Sequence, residues 1–379
     1  MCQPSSHAGP TKPPAADDKA VHPRVEYEDK ATSLGKAKGV IYILSLFAAA
    51  LSVSYLVIVP TVVLVAFVSP KLAQHVYRVC LGLFCAYSSG VLEYACGMEV
   101  VVTGEDGETL DFKDTDRVLL ISNHRTEIDW LLHWNFATKI HCHDRIMTML
   151  KAPLKMVPIF GGILHFFGFP FVQRNWSEDE AKLSQTMDAY RARPFGAWLA
   201  MFPEGTALYD KTLASSHAFQ TARGKPVTEY VLAPRVKGFE LCVDKFQPDY
   251  VLDMTMAYPE LREGIRPSPL RLLVGQFPTA VHFHVRKFAL ADIDNPKEWL
   301  EARFAAKEEL LSTFYKSPAP QSFAKPVIAL PNSKAPFYSS IAVIVASTTA
   351  FSLVLSSWPY VGTTYLLIVL VLLVAAARS

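Results

Sequence analysis

Two long stretches of this 379-residue chain carry no charged side chain: Gly39 to Pro70 and Phe337 to Ala377. A helix needs about 20 consecutive apolar residues to cross the hydrocarbon core of a bilayer, so these stretches mark membrane segments near both ends of the sequence. They also account for a composition that is 51% hydrophobic and 19% charged, outside the range of an ordinary soluble enzyme. A wholly soluble monomer is excluded.

Pro60 interrupts the first stretch, and a second apolar segment follows from Val76 to Gly97 with Arg78 and Glu93 near its ends. This pattern predicts a membrane hairpin over residues 39–97. At the other end, Phe337 to Ser357 and Tyr360 to Ala377 flank Trp358-Pro359, predicting a transmembrane helix pair over residues 337–379. Lys30, Lys36 and Lys38 precede the first segment, while Lys325, Lys334 and Arg378 flank the last pair. Positive flanks stay on the cytoplasmic side, which places both tails and the central domain in the cytosol. Residues 1–38, with Pro10, Pro13, Pro14 and Pro23 among mixed charges, read as a mobile tail.

Lysine plus arginine number 37 against 35 acidic residues, and a net charge of +2 supplies no broad field for nucleic acid. Six cysteines, Cys2, Cys80, Cys85, Cys96, Cys142 and Cys242, show neither disulfide-framework nor zinc spacing. His141-Cys142-His143 and His282-Phe283-His284 pair potential metal ligands, but neither brings a third at zinc spacing, so no metal is expected.

Between the apolar ends, short apolar runs alternate with helical patterns, as in an α/β domain. Strands are expected at Val100 to Thr103, Arg117 to Ser122, Phe169 to Gln173, Trp198 to Phe202, Tyr250 to Tyr258 and Ala280 to Phe288. Helices are expected at Ile128 to Thr138, Glu178 to Arg191 and Pro296 to Tyr315.

Four clusters in this region can carry chemistry. In the first, Asn123 to Trp130 follows an apolar strand, with His124 and Asp129 five residues apart. On a straight helix they would lie about 140° apart, so contact between them needs a turn, in which the aspartate would orient the imidazole as a base. A structural turn with an exposed histidine fits the same residues. In the second, Phe202-Pro203-Glu204-Gly205-Thr206 ends another strand; its amides and Thr206 would cradle an anion while Glu204 holds a hydroxyl or a cation, and an ordinary type II turn is the plain alternative.

In the third, Lys151 and Arg174 interrupt apolar surface, Arg174 directly after a strand, where its planar fork suits a phosphate with Lys151 as a point-charge helper; each alone also reads as a solvated charge. The fourth, Leu232 to Phe239, holds Pro234, Arg235 and Lys237, and is either the lining of an apolar or anion-carrying groove or a proline-broken strand with two surface cations.

Taken in this order, His124 with Asp129 (NH-x4-D), Arg174 at a strand end, FPEGT and the later Pro234 motif resemble the glycerolipid acyltransferases, the 1-acylglycerol-3-phosphate acyltransferases and relatives. Asp253 to Pro259, Val281 to Arg286, and Trp299 to Phe304 with Lys307 are similar to the C-terminal extension of the eukaryotic subgroup. Asn123 to Trp130, Arg174-Asn175-Trp176 and Glu229 to Phe239 look close to its lysocardiolipin and lysophosphatidylinositol branch. Two departures stand out: Ala207 and Leu208 follow FPEGT where relatives often carry a polar residue, and Glu127 lies inside the first motif.

The resemblance implies an α/β fold, a mixed sheet flanked by helices, with a catalytic core over residues 98–250 and an extension over 251–336. It implies that His124 acts as general base on a lysophospholipid hydroxyl with Asp129 orienting it, the alkoxide attacking the thioester of acyl-CoA. Lys151, Arg174, Glu204, Gly205 and Thr206 would bind the acceptor, and Pro234 would shape the acyl site. Acyl-CoA would be a co-substrate with no cofactor besides, in a multi-pass protein of the endoplasmic reticulum whose catalytic domain faces the cytosol. A catalytically inactive membrane scaffold is the reading from a different class, and the presence of all four of His124, Asp129, Arg174 and Glu204 speaks against it.

Asn175-Trp176-Ser177 is an acceptable glycosylation sequon. With the central domain in the cytosol, Asn175 should stay bare in cells, and an endoglycosidase-sensitive mass shift abolished by Asn175→Gln would place the domain on the opposite side.

Overall fold

A computed structural model describes residues 31–53, 69–157, 160–317 and 322–358, together with 360 and 363. Val118 to Ser122 is the plainest local case: a short apolar run with every residue buried, hence a strand covered on both faces. This strand, β2 (Val118–Ser122), pairs in parallel with β6 (Trp198–Met201) on one side and β7 (Tyr250–Ala257) on the other. The sheet is completed by β1 (Glu99–Gly104), β3 (Ile146–Thr148) and β8 (Ala280–Ala289), in the order β1-β8-β7-β2-β6-β3. Only β7 and β8 run antiparallel within it. Parallel neighbours require crossover connections, which the helices supply: α3 (Asp129–Lys139), α4 (Phe160–Phe166), α5 (Trp176–Arg191), α6 (Asp210–Thr221) and α7 (Val236–Leu241). The α/β class with a mixed sheet is therefore as expected.

Several boundaries differ. The strand expected at Phe169 to Gln173 is reduced to β5 (Phe171–Val172), paired with β4 (Leu150–Lys151) in a separate two-stranded sheet. The three-residue β3 is too short to leave a period in the sequence. β7 begins at residue 250 and β8 lies between β1 and β7, so the expected extension contributes two of the six strands of the central sheet. Its last helix, α9 (Pro296–Lys316), starts at a proline behind an Asn295 cap, as the pattern predicts.

At the N-terminal side, α1 (Ser33–Leu51) begins earlier than the charge-free stretch, because Thr32 caps it by accepting from the Gly35 N–H at 3.0 Å; residues 33–38 are helix, not tail. The second expected membrane arm becomes α2 (Pro70–Gly90), followed by a π turn at Val91–Ala95. This arm is packed on the domain: Cys80, Leu81, Phe84 and Cys85 are buried, Arg78 pairs with Asp114 and Asp144, and Glu93 pairs with Lys139 at 2.5 Å. Its charges are matched by protein, which is why a segment of lipid-like composition sits against the fold. The remainder of the hairpin, residues 54–68 with Pro60, and residues 364–377 of the second C-terminal helix lie outside the described residues.

Among the described helices, α1 and residues Ala335–Val354 of α10 (Ala335–Ser357) are long and apolar enough to cross a membrane. They meet through hydroxyls, Ser52 Oγ lying 2.7 Å from Ser347 Oγ and 3.1 Å from Thr348 Oγ1. Such contacts join helices where lipid offers no hydrophobic drive.

α1 is fastened to the domain backbone against backbone. A Cβ on Gly39 would strike the Leu273 carbonyl at the end of α8 (Pro269–Leu273), and one on Gly275, itself at φ +78°, would strike the Gly35 carbonyl. Gly39→Val should therefore overpack this crossing by roughly 1–3 kcal/mol, whereas Val40→Leu on the exposed side of the helix should be neutral. Thermal unfolding of the detergent-solubilised protein measures the difference.

Candidate active site

The three central strands β2, β6 and β7 are parallel and end on the same side of the sheet, where ligands bind in open α/β folds. Each delivers one part of a cluster: His124 after β2, Phe202 to Thr206 after β6, Tyr258 after β7. Asn123 makes the chain leave the sheet in a fixed way. Its side-chain amide donates to the Met256 carbonyl (3.0 Å) and accepts from the Met256 N–H (2.7 Å), continuing the β2/β7 ladder while the main chain turns off. His124 is thereby set outside α3, whose first residue is Asp129, and the turn between them lets the two meet.

Asp129 is fully buried and accepts five donors. Oδ2 takes His124 Nδ1 (2.9 Å) and the N–H groups of Arg125 (2.6 Å) and Thr126 (2.9 Å), while Oδ1 takes Thr126 Oγ1 (2.7 Å) and Tyr258 Oη (2.6 Å). Burial alone would favour its neutral form, but the hydrogen bonds from His124, Tyr258 and Thr126 outweigh it and hold the carboxyl below the usual carboxylate value. An ionised carboxylate only accepts, so in the neutral ring of His124 the proton sits on Nδ1 and the lone pair on Nε2. The ring is 15% exposed and stacks on Phe202 at 4.2 Å; the buried His133 lies against Phe202 at 5.0 Å and is kept neutral by burial, its value pushed down to about 3.

Glu204 has a different place from the one expected of it. It is buried, Oε1 accepting the His124 N–H (2.9 Å) and Oε2 the Leu232 N–H (3.2 Å), so both oxygens hold main chain rather than a ligand hydroxyl. Burial pushes its carboxyl up to about 8 against the pull of these two amides. Gly205, at φ +72°, closes the turn by donating to Phe202 O at 2.9 Å, which removes its own amide from the expected anion cradle. A Cβ there would meet Arg235 Nε at 3.0 Å, so the absent side chain makes room for the Arg235 guanidinium. Arg235 donates its N–H to Pro203 O at 2.7 Å, locking the Pro234 loop onto the FPEGT turn.

These groups line one cleft of about 1980 Å³, well above the roughly 300–1,000 Å³ of a pocket for one small ligand. His124, Gly205, Thr206, Lys151, Arg174 and Pro234 all face it, so the expected residues converge. One wall is apolar and comes from α1 through Tyr42, Ile43, Leu46 and Phe47; another is cationic, with Arg174, Arg235 and Lys237. Arg174 sits at φ +65°, a left-handed conformation costly for a residue with a Cβ, and burial together with the neighbouring Arg235 lowers its pKa. Neither guanidinium has a carboxylate partner among the described residues, so the pair presents uncompensated positive charge to the cleft. No group of three or more His, Cys, Asp or Glu residues suited to a metal occurs among the described residues. His282 and His284 are buried in β8, and burial lowers both to about 4.

The sequence pattern does not reveal Tyr258, Thr126 or the backbone role of Glu204. Tyr258 lies 129 residues from Asp129 and reaches it only because β7 neighbours β2.

A sequence profile described as Acyltransferase matches residues 100–238, and one described as Acyltransferase C-terminus matches residues 271–343. The chain is 38% identical over 208 residues to a probable 1-acyl-sn-glycerol-3-phosphate acyltransferase 5 of Arabidopsis thaliana, covering 53% of this chain and 54% of the plant protein. It is 35% identical to lysocardiolipin acyltransferase 1 of Danio rerio, covering 63% and 62%, and 32% identical to that of Mus musculus over 287 residues, covering 74% of each. The chain thus spans about half the length of the plant relative and about three-fifths of the zebrafish one. A crystal structure of a 1-acyl-sn-glycerophosphate (LPA) acyltransferase from Thermotoga maritima superposes with a TM-score of 0.42 at 15% identity, covering 76% of this chain and 100% of its own.

The Asp129 carboxyl titrates lower in the folded chain than its unfolded value of about 3.9, so its stabilisation is present above that value and is lost as pH falls through the folded one. Asp129→Asn should cost on the order of 3 kcal/mol at neutral pH, since the amide turns a donor toward donors. The gap between wild type and variant should narrow below about pH 4 in acid unfolding followed by circular dichroism.

Proposed function

The chain belongs to the acyltransferase family, and on that premise we propose that it transfers a fatty acyl group from acyl-CoA to the free sn-2 hydroxyl of a lysophospholipid, 1-acyl-sn-glycerol-3-phosphate first among the acceptors. The observation that carries the reading is the His124–Asp129 pair, 2.9 Å apart, with Nε2 unpartnered among the described residues in a cleft that is apolar on one wall and cationic on another. Nε2 takes the hydroxyl proton, the oxygen forms a bond to the thioester carbonyl carbon, the carbon–sulfur bond breaks, and the thiolate leaves with the proton returned by the imidazolium. No acyl-enzyme is required. The Cys85 and Cys242 thiols are buried, and burial raises both far from a reactive thiolate.

Arg174 and Arg235 form a forked site for the acceptor phosphate, Lys151 adds a point charge at the rim, and Thr206 and Pro234 border the same space. Glu204 belongs to the support of His124. Leaving an acyl tail in water costs about 0.8 kcal/mol per methylene, so a wall contributed by α1 suits a reaction whose substrates both carry such tails. We place the protein in the endoplasmic reticulum membrane with this domain in the cytosol. The 74% coverage by the mouse lysocardiolipin acyltransferase favours monolysocardiolipin or lysophosphatidylinositol as the second choice of acceptor.

Purified protein given labelled acyl-CoA and a panel of lysophosphatidate, lysophosphatidylinositol and monolysocardiolipin should acylate lysophosphatidate fastest. His124→Ala should lower turnover by on the order of 10²–10⁴-fold without releasing the protein from membranes. Arg174→Ala should raise the KM for the acceptor and leave that for acyl-CoA nearly unchanged; retained turnover in His124→Ala removes the assigned base.

A further inference from the structure

Glu308 lies on α9, outside every motif described above. Its carboxylate accepts three successive main-chain N–H groups: Oε1 takes Glu229 at 2.7 Å, and Oε2 takes Tyr230 at 2.8 Å and Val231 at 3.1 Å. Successive amides converging on one anion form a nest, a backbone shape that an anion stabilises and a neutral group does not. No lysine or arginine makes an ion pair with Glu308 among the described residues, so these amides are its counter-charge. α9 does not need the contact for its own packing, which rests on Leu300, Phe304, Lys307, Leu311 and Phe314. What the contact shapes is the loop at residues 229–235.

Every onward connection of that loop leads to the reacting groups. The Leu232 N–H holds Glu204 Oε2, whose other oxygen holds the His124 N–H. The Tyr230 carbonyl accepts Arg125 Nη1 at 2.8 Å, on the residue beside His124. The Arg235 N–H bonds to Pro203 O and sets the guanidinium over Gly205. About two turns further along α9, Tyr315 stacks on Tyr230, and its Oη accepts the N–H of Tyr258, whose hydroxyl donates to Asp129.

We propose that Glu308 is a positioning residue for acyl transfer: its carboxylate templates the 229–235 loop, so that Glu204 fixes the main chain of His124 and Arg235 faces the acceptor phosphate. The inference rests on the reading of His124 as the base. It makes α9 part of the catalytic apparatus, acting from more than 170 residues away in sequence through main-chain hydrogen bonds.

The test uses the full chain in lipid vesicles, with Glu308→Gln, Glu308→Ala and Glu308→Asp made alone and together with Glu204→Gln. Gln keeps the shape but offers one acceptor oxygen and turns an NH2 toward the amides. Glu308→Gln and Glu308→Ala should lower kcat by about 10- to 100-fold, as small displacements of reacting groups do. They should raise the KM for lysophosphatidate but not for acyl-CoA, and leave the fraction folded unchanged. Glu308→Asp, which retains both oxygens, should recover most of the loss. Adding Glu204→Gln should cost little more, because both changes break one path to His124. Wild-type kinetics in Glu308→Gln, losses that multiply with those of Glu204→Gln, or activity that merely follows the folded fraction would overturn the proposal. His124→Ala in the same assay separates this outcome from failure of the base assignment.

Discussion

A buried carboxylate without a cation beside it is stable only where hydrogen-bond donors replace the water it has lost, and Asp129 is surrounded by them. Its five donors come from the turn that follows β2, from the first residues before α3 and from the end of β7. Satisfying this one group therefore fixes the exit of one strand, the start of a helix and the side chain of a neighbouring strand. The imidazole is one of the five donors, so its ring plane and tautomer follow from the same requirement.

The support around this pair is built from main chain held by acidic side chains. Glu204 bridges the amides of His124 and Leu232, and Glu308 gathers those of residues 229–231. Such bonds are directional and short, so they define position more sharply than apolar packing does. The cations are treated in the opposite way. Arg174 and Arg235 lie beside one another without carboxylate partners among the described residues, and the charge of Arg235 together with burial lowers the pKa of Arg174. The carboxyl groups of this region are satisfied by hydrogen-bond donors, while the two guanidinium groups face the open space.

The cleft joins an apolar helix to the polar ends of the central strands. One wall belongs to α1, a helix with the length and composition to cross a bilayer, and this helix is held against α8 by glycines at the crossing. Close backbone contact leaves no layer of side chains between this apolar helix and the catalytic domain at the crossing, and Tyr42, Leu46 and Phe47 line the same cavity as His124. The serine and threonine contacts between α1 and α10 tie the second apolar helix into this arrangement.

The order of motifs along the chain, the α/β class, the apolar ends and the convergence of His124, Asp129, Arg174 and Gly205 could all be read from the sequence. Each rests on local residue chemistry or on a pattern of short period: alternation in strands, charge-free runs, a glycine where the backbone must turn. What only the tertiary structure decided is of longer range. β8 inserts between β1 and β7, joining the region after residue 250 to the core, and α2 trades lipid for protein because Arg78 and Glu93 find partners on the domain. Glu204 proves to hold the histidine's main chain, and Tyr258 and Glu308 enter the site from distant segments. A hydrogen bond between groups 80 or 129 residues apart leaves no period in a sequence, because it depends on which strands are neighbours, and strand order is settled by the packing of the whole sheet.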